Sequence, residues 1–240
     1  MKNIIVLSPE VSKESAQALA EALDAELEFP YKTDNRDYMK YDYVFKYGFS
    51  KKIKAKKGAT FNKSDAVEIA RDKLLTFNAL KDQDVTIEFT TDKNVAAQWI
   101  KDGHTVVARE FSKSSNGNGI TYCQTIGELN KAKAIFWTKC IYETQELRVN
   151  IWRNKVLSIY IKIFENGFFV FKLNKGMEEH PQLVELVNKV HKNIGLDFCG
   201  LDILTDSNGK LNLLEVNSAP ILFPYTIKKL VTEIKKEIAE

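Results

Sequence analysis

The chain has 240 residues, of which 44% are hydrophobic and 28% are charged, and its formal net charge is +3. This composition is that of an ordinary soluble globular protein, long enough for one large domain or two small ones. The sequence shows no apolar run near the ~20 residues of a membrane span and no secretory signal segment, so we expect no membrane association.

The cysteines favour a reducing compartment. Cys123, Cys140 and Cys199 lie in or beside apolar runs, and their spacing matches no zinc-binding pattern. Their odd number argues against a complete disulfide framework. We therefore expect a cytoplasmic protein.

A small α/β unit is predicted at the start of the chain. Apolar runs at 3–8, 25–29 and 42–47 predict strands, and the periodicity over 12–25 predicts a helix with Ser12 as its N-cap.

One long helix is predicted over 62–80, with Ser64 and Asp65 near its start and Glu68 placed for a capping interaction. A shorter helix is expected over 94–101.

The rest of the chain mixes strands and helices without strict alternation, which favours an α+β fold over a doubly wound sheet. The predicted strands are 104–110, 120–123, 134–142, 146–152 and 156–164, and the predicted helices are 181–192 and 226–238.

Residues 195–220 predict a hairpin that carries a pair of carboxylates. Two strands joined by a two-residue Asn208-Gly209 turn would place Asp202 opposite Glu215, with Asn217 on the same face. Like charges at opposed positions destabilise a sheet, which predicts a hard cation between them. The oxygen ligands suit Mg²⁺, with Mn²⁺ as an alternative.

Two alternatives bear on this site. A three-residue loop would shift the pairing, although both acids could still face one side. The acids could also lie on a solvated face. Their leucine-rich surroundings argue against that, because they indicate that both strands are largely buried. Buried carboxylates need a partner.

The segment 112–119 is a polar, glycine-containing loop that follows Arg109. Backbone N–H groups of such a loop can contact phosphate oxygens, since glycine allows close approach. A flexible connection is the alternative.

The strand over 146–152 alternates polar and apolar residues. With a three-residue loop at 153–155, Glu146 pairs with Lys162 and Arg148 lies opposite Tyr160. This face is either a solvated surface with cross-strand ion pairs or the polar wall of a nucleotide cleft, where Arg suits phosphate oxygens.

Several established routes to catalysis are missing from the sequence. It contains no Walker A motif, no G-x-G-x-x-G after a strand, no G-x-S-x-G elbow and no Cys/His ligand set.

The ordered series of motifs resembles the ATP-grasp superfamily. It consists of a strand with Arg109, the loop 112–119, WTKC (137–140), QELRVNIW (145–152), a strand with Lys162, and GLDFCGLDIL…LLEVNSAP (195–220). The resemblance is nearest to small phage-type ATP-grasp proteins and more distant to ribosomal-protein glutamate ligases and glutathione synthetases.

The resemblance implies an ATP-grasp fold of two α+β subdomains that grip ATP, preceded by a small α/β domain. It places the preceding domain at 1–60, the lid subdomain at 61–139 and the C-terminal subdomain at 140–240.

The resemblance also implies a role for each matching residue. Arg148 and Lys162 are expected to act in catalysis. Asp202, Glu215 and Asn217 are expected to bind Mg²⁺. The expected nucleotide contacts are Arg109, Ser114, Ser115, Gly117, Gly119, Lys139, Cys140, Ile141 and Glu146.

The activity implied is ATP-dependent ligation of a carboxylate to an amine through an acylphosphate, forming ADP. The expected partners are small-molecule or peptide carboxylates and amines. The oligomeric state stays open, with a dimer as one possibility.

Two alternatives remain. One is a phosphotransferase of the same fold. The other is a non-catalytic nucleotide- or polyanion-binding module that uses the lysine run at 51–57. The run carries no interleaved aromatic residues for base stacking, so we interpret it as a solvated loop and do not expect nucleic acid as a partner.

Overall fold

The computed structural model describes residues 2–30, 36–113, 118–142 and 145–239, and three sheets organise this part of the chain. The strands are β1 (Ile4–Leu7), β2 (Glu26–Glu28), β3 (Tyr43–Lys46), β4 (Thr60–Phe61), β5 (Phe89–Thr90), β6 (Val106–Arg109), β7 (Ile120–Cys123), β8 (Phe136–Lys139), β9 (Gln145–Trp152), β10 (Lys155–Glu165), β11 (Phe168–Asn174), β12 (Phe198–Thr205) and β13 (Leu211–Asn217). The helices are α1 (Lys13–Leu23), α2 (Ser64–Arg71), α3 (Lys73–Leu80), α4 (Lys93–Lys101), α5 (Ile126–Lys131), α6 (Pro181–Ile194) and α7 (Pro224–Ala239). None of the helices in these ranges has the length and apolar character that a membrane crossing requires.

The first sheet is parallel, with strand order β2-β1-β3-β4, and α1 packs against it. The predicted strands and helix are present, and β4 is an addition. Ser12 occupies the N-cap position of α1, but its side chain makes no capping hydrogen bond.

The long helix predicted over 62–80 is two helices, which corrects the prediction. Asp72 is extended (φ −118°, ψ 108°), and its carboxylate accepts hydrogen bonds from the backbone N–H groups of Leu74 and Leu75. Aspartate is a strong N-cap and a poor interior helix residue. The expected capping of α2 by Glu68 is also absent, since the N-cap of α2 is Lys63 and it makes no side-chain capping bond.

The second sheet is antiparallel, with strand order β5-β8-β6-β7. Helix α5, which the sequence analysis did not predict, follows β7. It begins with a capping box in which Thr125 and Glu128 each bond to the other's backbone N–H.

The third sheet has the order β11-β10-β9-β12-β13 and is antiparallel throughout. The expected alternation along β9 is confirmed, because Leu147, Val149 and Ile151 are buried in the main core with residues of α6. Glu146, Arg148 and Asn150 lie on the opposite face, which we call the polar face of the third sheet. One end of this face, at Trp152, packs in an apolar cluster with residues of the first sheet.

Strand β11 was not predicted, although its signal is present in the sequence. Asn166 and Gly167 both adopt positive φ (53° and 85°), and Glu165 pairs with Phe168 across them. This is the two-residue Asn-Gly hairpin turn.

The loop predicted at Asn208-Gly209 is longer than two residues. Thr205 pairs with Leu211, which shifts the register by one residue, and a bulge at Leu214 restores it. Asp202 therefore lies opposite Glu215 as predicted.

The hairpin of β9 and β10 shows the same compensation. Lys155 pairs with Trp152 across a two-residue turn, and a bulge at Leu157 follows. Beyond the bulge, the predicted pairs of Glu146 with Lys162 and of Arg148 with Tyr160 are confirmed.

Asn62 joins the first sheet to the third. It is buried, its φ is +60°, and its amide donates to the carbonyl oxygens of Lys46 (3.2 Å) and Phe198 (2.9 Å). Its Oδ1 accepts from the backbone N–H of Phe198 at 2.9 Å, and its own N–H donates to Asp197 at 2.7 Å.

We expect Asn62→Ala to lower the free energy of unfolding by about 3 kcal/mol, because it leaves buried backbone groups unpaired and places alanine in a left-handed conformation. Urea denaturation measures this change. The control is Asn78→Ala, on the exposed side of α3, with an expected change below about 0.5 kcal/mol. Equal effects of the two substitutions would contradict the account.

Candidate functional site

The two opposed carboxylates on β12 and β13 are each bound by a partly buried cation. Arg148 on β9 makes a two-pronged contact with Asp202, and its Nη2 lies 3.0 Å from Oδ2. Lys73, at the start of α3, lies 3.0 Å from Glu215. Asn217 donates to Asp202 at 3.2 Å. Four side chains from three different strands and one from a helix therefore meet on the polar face of the third sheet.

The neighbouring carboxylates stabilise the charged form of Arg148. Burial disfavours the guanidinium, but the carboxylates, with Asp202 first among them, outweigh burial and raise its pKa. Phe171 covers the group from the edge of the sheet, with its ring centre 5.6 Å away. Arg148 is thus charged and held by packing as well as by its ion pair.

The donor set of this face fits a hard cation. No cluster of three or more His, Cys, Asp or Glu side chains that could bind a metal occurs within the described residues. The available ligands are the carboxylates of Asp202 and Glu215 and the amide oxygen of Asn217, all of them oxygen atoms. Oxygen ligands few in number suit Mg²⁺, which keeps water or phosphate oxygens in its remaining positions.

Arg109 ends strand β6 of the second sheet and has a buried donor without a partner. Its Nε finds no hydrogen-bond acceptor, and its guanidinium lies 5.9 Å from the ring centre of Phe136. Burial lowers its pKa, and the charge of Glu215 opposes that shift. An unsatisfied buried donor on a cation is costly, so this position suits an anionic group such as a phosphate.

The glycine-containing loop is anchored at both ends. Ser112 donates to Asp72 at 2.8 Å, Lys113 donates to Glu68 at 3.3 Å, and the carbonyl of Gly119 accepts from the N–H of Glu110 at 2.8 Å. Gly119, a predicted nucleotide contact at the end of this loop, adopts the left-handed conformation with φ +73°. Ser114, Ser115 and Gly117 lie outside the described residues.

The segment 139–141, which is expected to contact the nucleotide, uses several of its polar groups within the protein. Lys139 donates through Nζ to Glu88 at 2.8 Å and lies over the ring of Trp99. The N–H of Cys140 donates to the carbonyl of Thr105 at 2.8 Å. Ile141 packs beside the cluster of Phe77, Ile87 and Phe136. Ile141 is therefore the apolar residue of this segment.

The second predicted catalytic residue, Lys162, forms an ion pair with Glu146 at 2.8 Å, as its register predicts. Its Nζ also lies 4.4 Å from the ring centre of Phe169. This pair extends the row of charged side chains beyond Arg148 toward the edge of the third sheet.

The comparisons with known proteins agree with this geometry. A family model described as a RimK-like ATP-grasp domain matches residues 70–240. The chain belongs to the RimK-like ATP-grasp family. No curated protein matches the sequence.

Solved structures of ATP-grasp ligases share the fold of this RimK-like protein. ATP-grasp ligase PsnB complexed with a minimal precursor has 11% identity and a TM-score of 0.72 over 99% of this chain and 100% of that one. D-alanyl-alanine synthetase A from Vibrio cholerae has 14% identity and a TM-score of 0.70 over 100% and 99%. The ATP complex of D-alanine–D-alanine ligase from Bacillus anthracis has 14% identity and a TM-score of 0.67 over 99% and 100%.

These findings confirm the predicted superfamily and the ATP-grasp fold. Membership of the RimK-like family supports an ATP-dependent ligase. At these identities the structural matches show the fold alone.

Sequence reasoning missed Lys73. The prediction of one long helix placed Lys73 in a helix interior. The break at Asp72 instead puts Lys73 in the first turn of α3, where it contacts Glu215. The signal was an aspartate in a predicted helix interior. The aromatic contacts of Phe171 and Phe169 were missed because β11 was missed.

Gly200 lies where the backbone must approach two groups of the site. A Cβ added there would lie 2.7 Å from Cβ of Pro220 and 3.2 Å from Cδ of Arg148. Glycine at this position of β12 therefore leaves room for the side chains of Arg148 and Pro220.

We expect Gly200→Ala to lower the free energy of unfolding by about 1–3 kcal/mol, because overpacking displaces Pro220 and Arg148. The matched control is Gly127→Ala in α5, where the nearest atom would be 3.8 Å away and alanine should stabilise the helix by about 0.5–1 kcal/mol. Denaturation curves measure both changes. Opposite signs are expected, and equal or reversed effects would contradict this role of Gly200.

Proposed function

We propose that this RimK-like protein is an ATP- and Mg²⁺-dependent ligase that joins a carboxylate to an amine and forms ADP. The observation that carries the proposal is the set of opposed acids, Asp202 and Glu215, flanked by the cations of Lys73, Arg148 and Arg109. Charges of both signs are thus gathered around the third sheet, as a metal-bound polyphosphate requires.

We assign each side chain a role according to its chemistry. Asp202, Glu215 and Asn217 would hold Mg²⁺, which when bound neutralises phosphate charge. Arg109, with its unpartnered Nε, would take a phosphate oxygen. Lys73, at the start of α3, would take another.

Arg148 is the residue we propose for the transferred phosphoryl group. Its planar guanidinium can contact two oxygen atoms at once. Lys162 lies beyond it and would orient the incoming carboxylate. The protein's contribution is then alignment and electrostatic stabilisation.

The proposed reaction has two steps. A carboxylate oxygen of the acceptor attacks the γ-phosphorus of ATP, which gives an acylphosphate and ADP. The amine nitrogen then bonds to the carbonyl carbon, phosphate leaves, and the amine loses a proton. We assign no general base among the described residues.

A peptide is among the acceptors that the proposal allows. PsnB, which shares the fold, is described in complex with a precursor peptide. A phosphotransferase would use the same first step and is distinguished by a stable phosphorylated product without an amide.

The lysine run at 51–57 favours a structural role over polyanion binding. Lys54 exchanges backbone hydrogen bonds with Arg36 and Tyr38, and Lys56 pairs with Asp42 at 2.8 Å. Part of the run is therefore held against the first sheet.

Mg-ATP should raise the melting temperature of the wild type, and the rise should require Mg²⁺, because a ligand that binds only the folded state stabilises it. Glu215→Gln should lose this rise, since it removes one proposed metal ligand. Glu165→Gln, at an exposed ion pair with Lys172, is the control and should keep it. An equal rise in Glu215→Gln would refute the proposed metal site.

Arg148→Lys tests the catalytic assignment. Lysine keeps the charge but cannot contact two oxygen atoms of the phosphoryl group in fixed geometry. We expect ADP release with a carboxylate–amine pair found by screening to fall about tenfold or more, with the thermal shift by Mg-ATP retained. Arg153→Lys, whose partners are Asp197 and Glu237, should leave turnover unchanged. Normal turnover in Arg148→Lys would contradict the assignment.

A further inference from the structure

We propose that the outer edge of β11 binds an extended peptide as an added strand, and that this peptide carries the carboxylate substrate. The inference rests on the proposed ligase function and deepens it, because it names the substrate class and where the substrate lies.

One edge strand of the third sheet, β13, is covered by another segment, whereas the other, β11, is open. At β13, residues 85–87 cover the edge, with the N–H of Leu213 donating to Val85 at 2.7 Å and a parallel bridge from Leu213 to Thr86. At β11, every residue pairs with β10, and no strand of the described chain pairs with the other side. One long edge is therefore left open.

The open edge lacks the protection that edge strands normally carry. Phe168 is 74% exposed and Phe169 is 61% exposed, and neighbouring Phe164 is 64% exposed. The strand has no proline, and its single lysine, Lys172, is engaged with Glu165. Edge strands usually avoid such apolar residues because an open edge recruits another chain, which indicates that this edge is used.

One face of β11 continues the proposed site. The register places Phe169, Phe171 and Leu173 on the same face as Lys162 and Arg148. Phe171 contacts Arg148, and Phe169 contacts Lys162, with ring centres 5.6 Å and 4.4 Å from the cations. The apolar edge and the charged row are therefore one surface.

Phe223 closes the inner end of this apolar surface. Its ring centre lies 5.7 Å from that of Phe171 and 4.6 Å from that of Tyr160, which is opposite Arg148. Side chains on one face of an added strand would meet Phe169 and Phe171 before the chain reaches the cations.

The distances suit a peptide. An added strand would lie three strand spacings from β9, or about 14 Å, and an extended chain covers that in about four residues. A peptide can therefore pair with β11 and still bring a carboxylate to Arg148. The open backbone edge suits a partner with its own N–H and C=O groups, and the proposed reaction needs a carboxylate beside Lys162 and Arg148. A peptide supplies both, as in other cases of strand addition.

The test measures binding without nucleotide, so that its result is independent of ligase turnover. The probe is a fluorescein-labelled nonapeptide of alternating valine and threonine with a C-terminal glutamate. Its matched control is the same peptide with N-methyl groups on alternate backbone nitrogens, which removes the hydrogen bonds of a strand. Fluorescence anisotropy gives the affinity, and amide hydrogen exchange locates the bound edge.

The expected result is binding of the probe to the wild type, at least tenfold weaker binding of the N-methyl control, and slower exchange in β11. Phe168→Ser/Phe169→Ser should also weaken binding at least tenfold, whereas Val11→Ser, at another exposed apolar position, should not. Glu215→Gln should bind the probe normally, which separates this proposal from the metal site.

Three results would overturn the proposal. One is no binding of the probe to the wild type at millimolar concentration. Another is equal binding of the N-methyl control. The third is a dimer by light scattering that the double serine variant converts to a monomer, which would assign the edge to a second copy of the chain.

Discussion

The opposition of Asp202 and Glu215 across β12 and β13 is the constraint on which the site depends. Two carboxylates at a directly paired position repel each other, and Asp202 is largely shielded from solvent. The fold relieves this cost by bringing Arg148 from β9 and Lys73 from α3 into contact with them. The cations are thus required by the sheet register before any ligand is considered. A site built in this way contains separated charges of both signs, which is what a metal-bound nucleotide matches.

The surrounding parts of the fold hold this face in place. Asn62 fixes the start of β12 to the first sheet. The segment after Asn217 is seated on the same sheet, since the hydroxyl of Tyr47 donates to the carbonyl of Pro220 and a Cβ on Gly48 would lie 2.8 Å from Cβ of Ala219. The second sheet contributes Arg109. Residues distant in sequence therefore converge because three sheets meet there.

The sequence predicted much of the site because strand alternation and residue chemistry are local properties. Glu146 and Arg148 were placed on one face by a two-residue period, and Asp202 was placed opposite Glu215 by the hairpin pairing. The predicted pairs were right although both turns were wrong, because the bulges at Leu214 and Leu157 each restored the register. A bulge depends on tertiary packing and leaves little trace in the sequence. The Asn-Gly signal was assigned to 208–209, whereas the two-residue turn lies at 166–167, and β11 was lost with it. Lys73 and Arg109 both approach Glu215 from segments remote in sequence, so no local pattern could bring them together.

The central claim is that Asp202, Glu215 and Asn217 form the metal end of an ATP site. The most direct measurement is an anomalous difference map from crystals grown with Mn²⁺ and a non-hydrolysable ATP analogue. The account predicts a manganese peak within bonding distance of both carboxylates, with Arg109 and Lys73 on the phosphates. A nucleotide whose metal is bound away from Asp202 and Glu215 would contradict it.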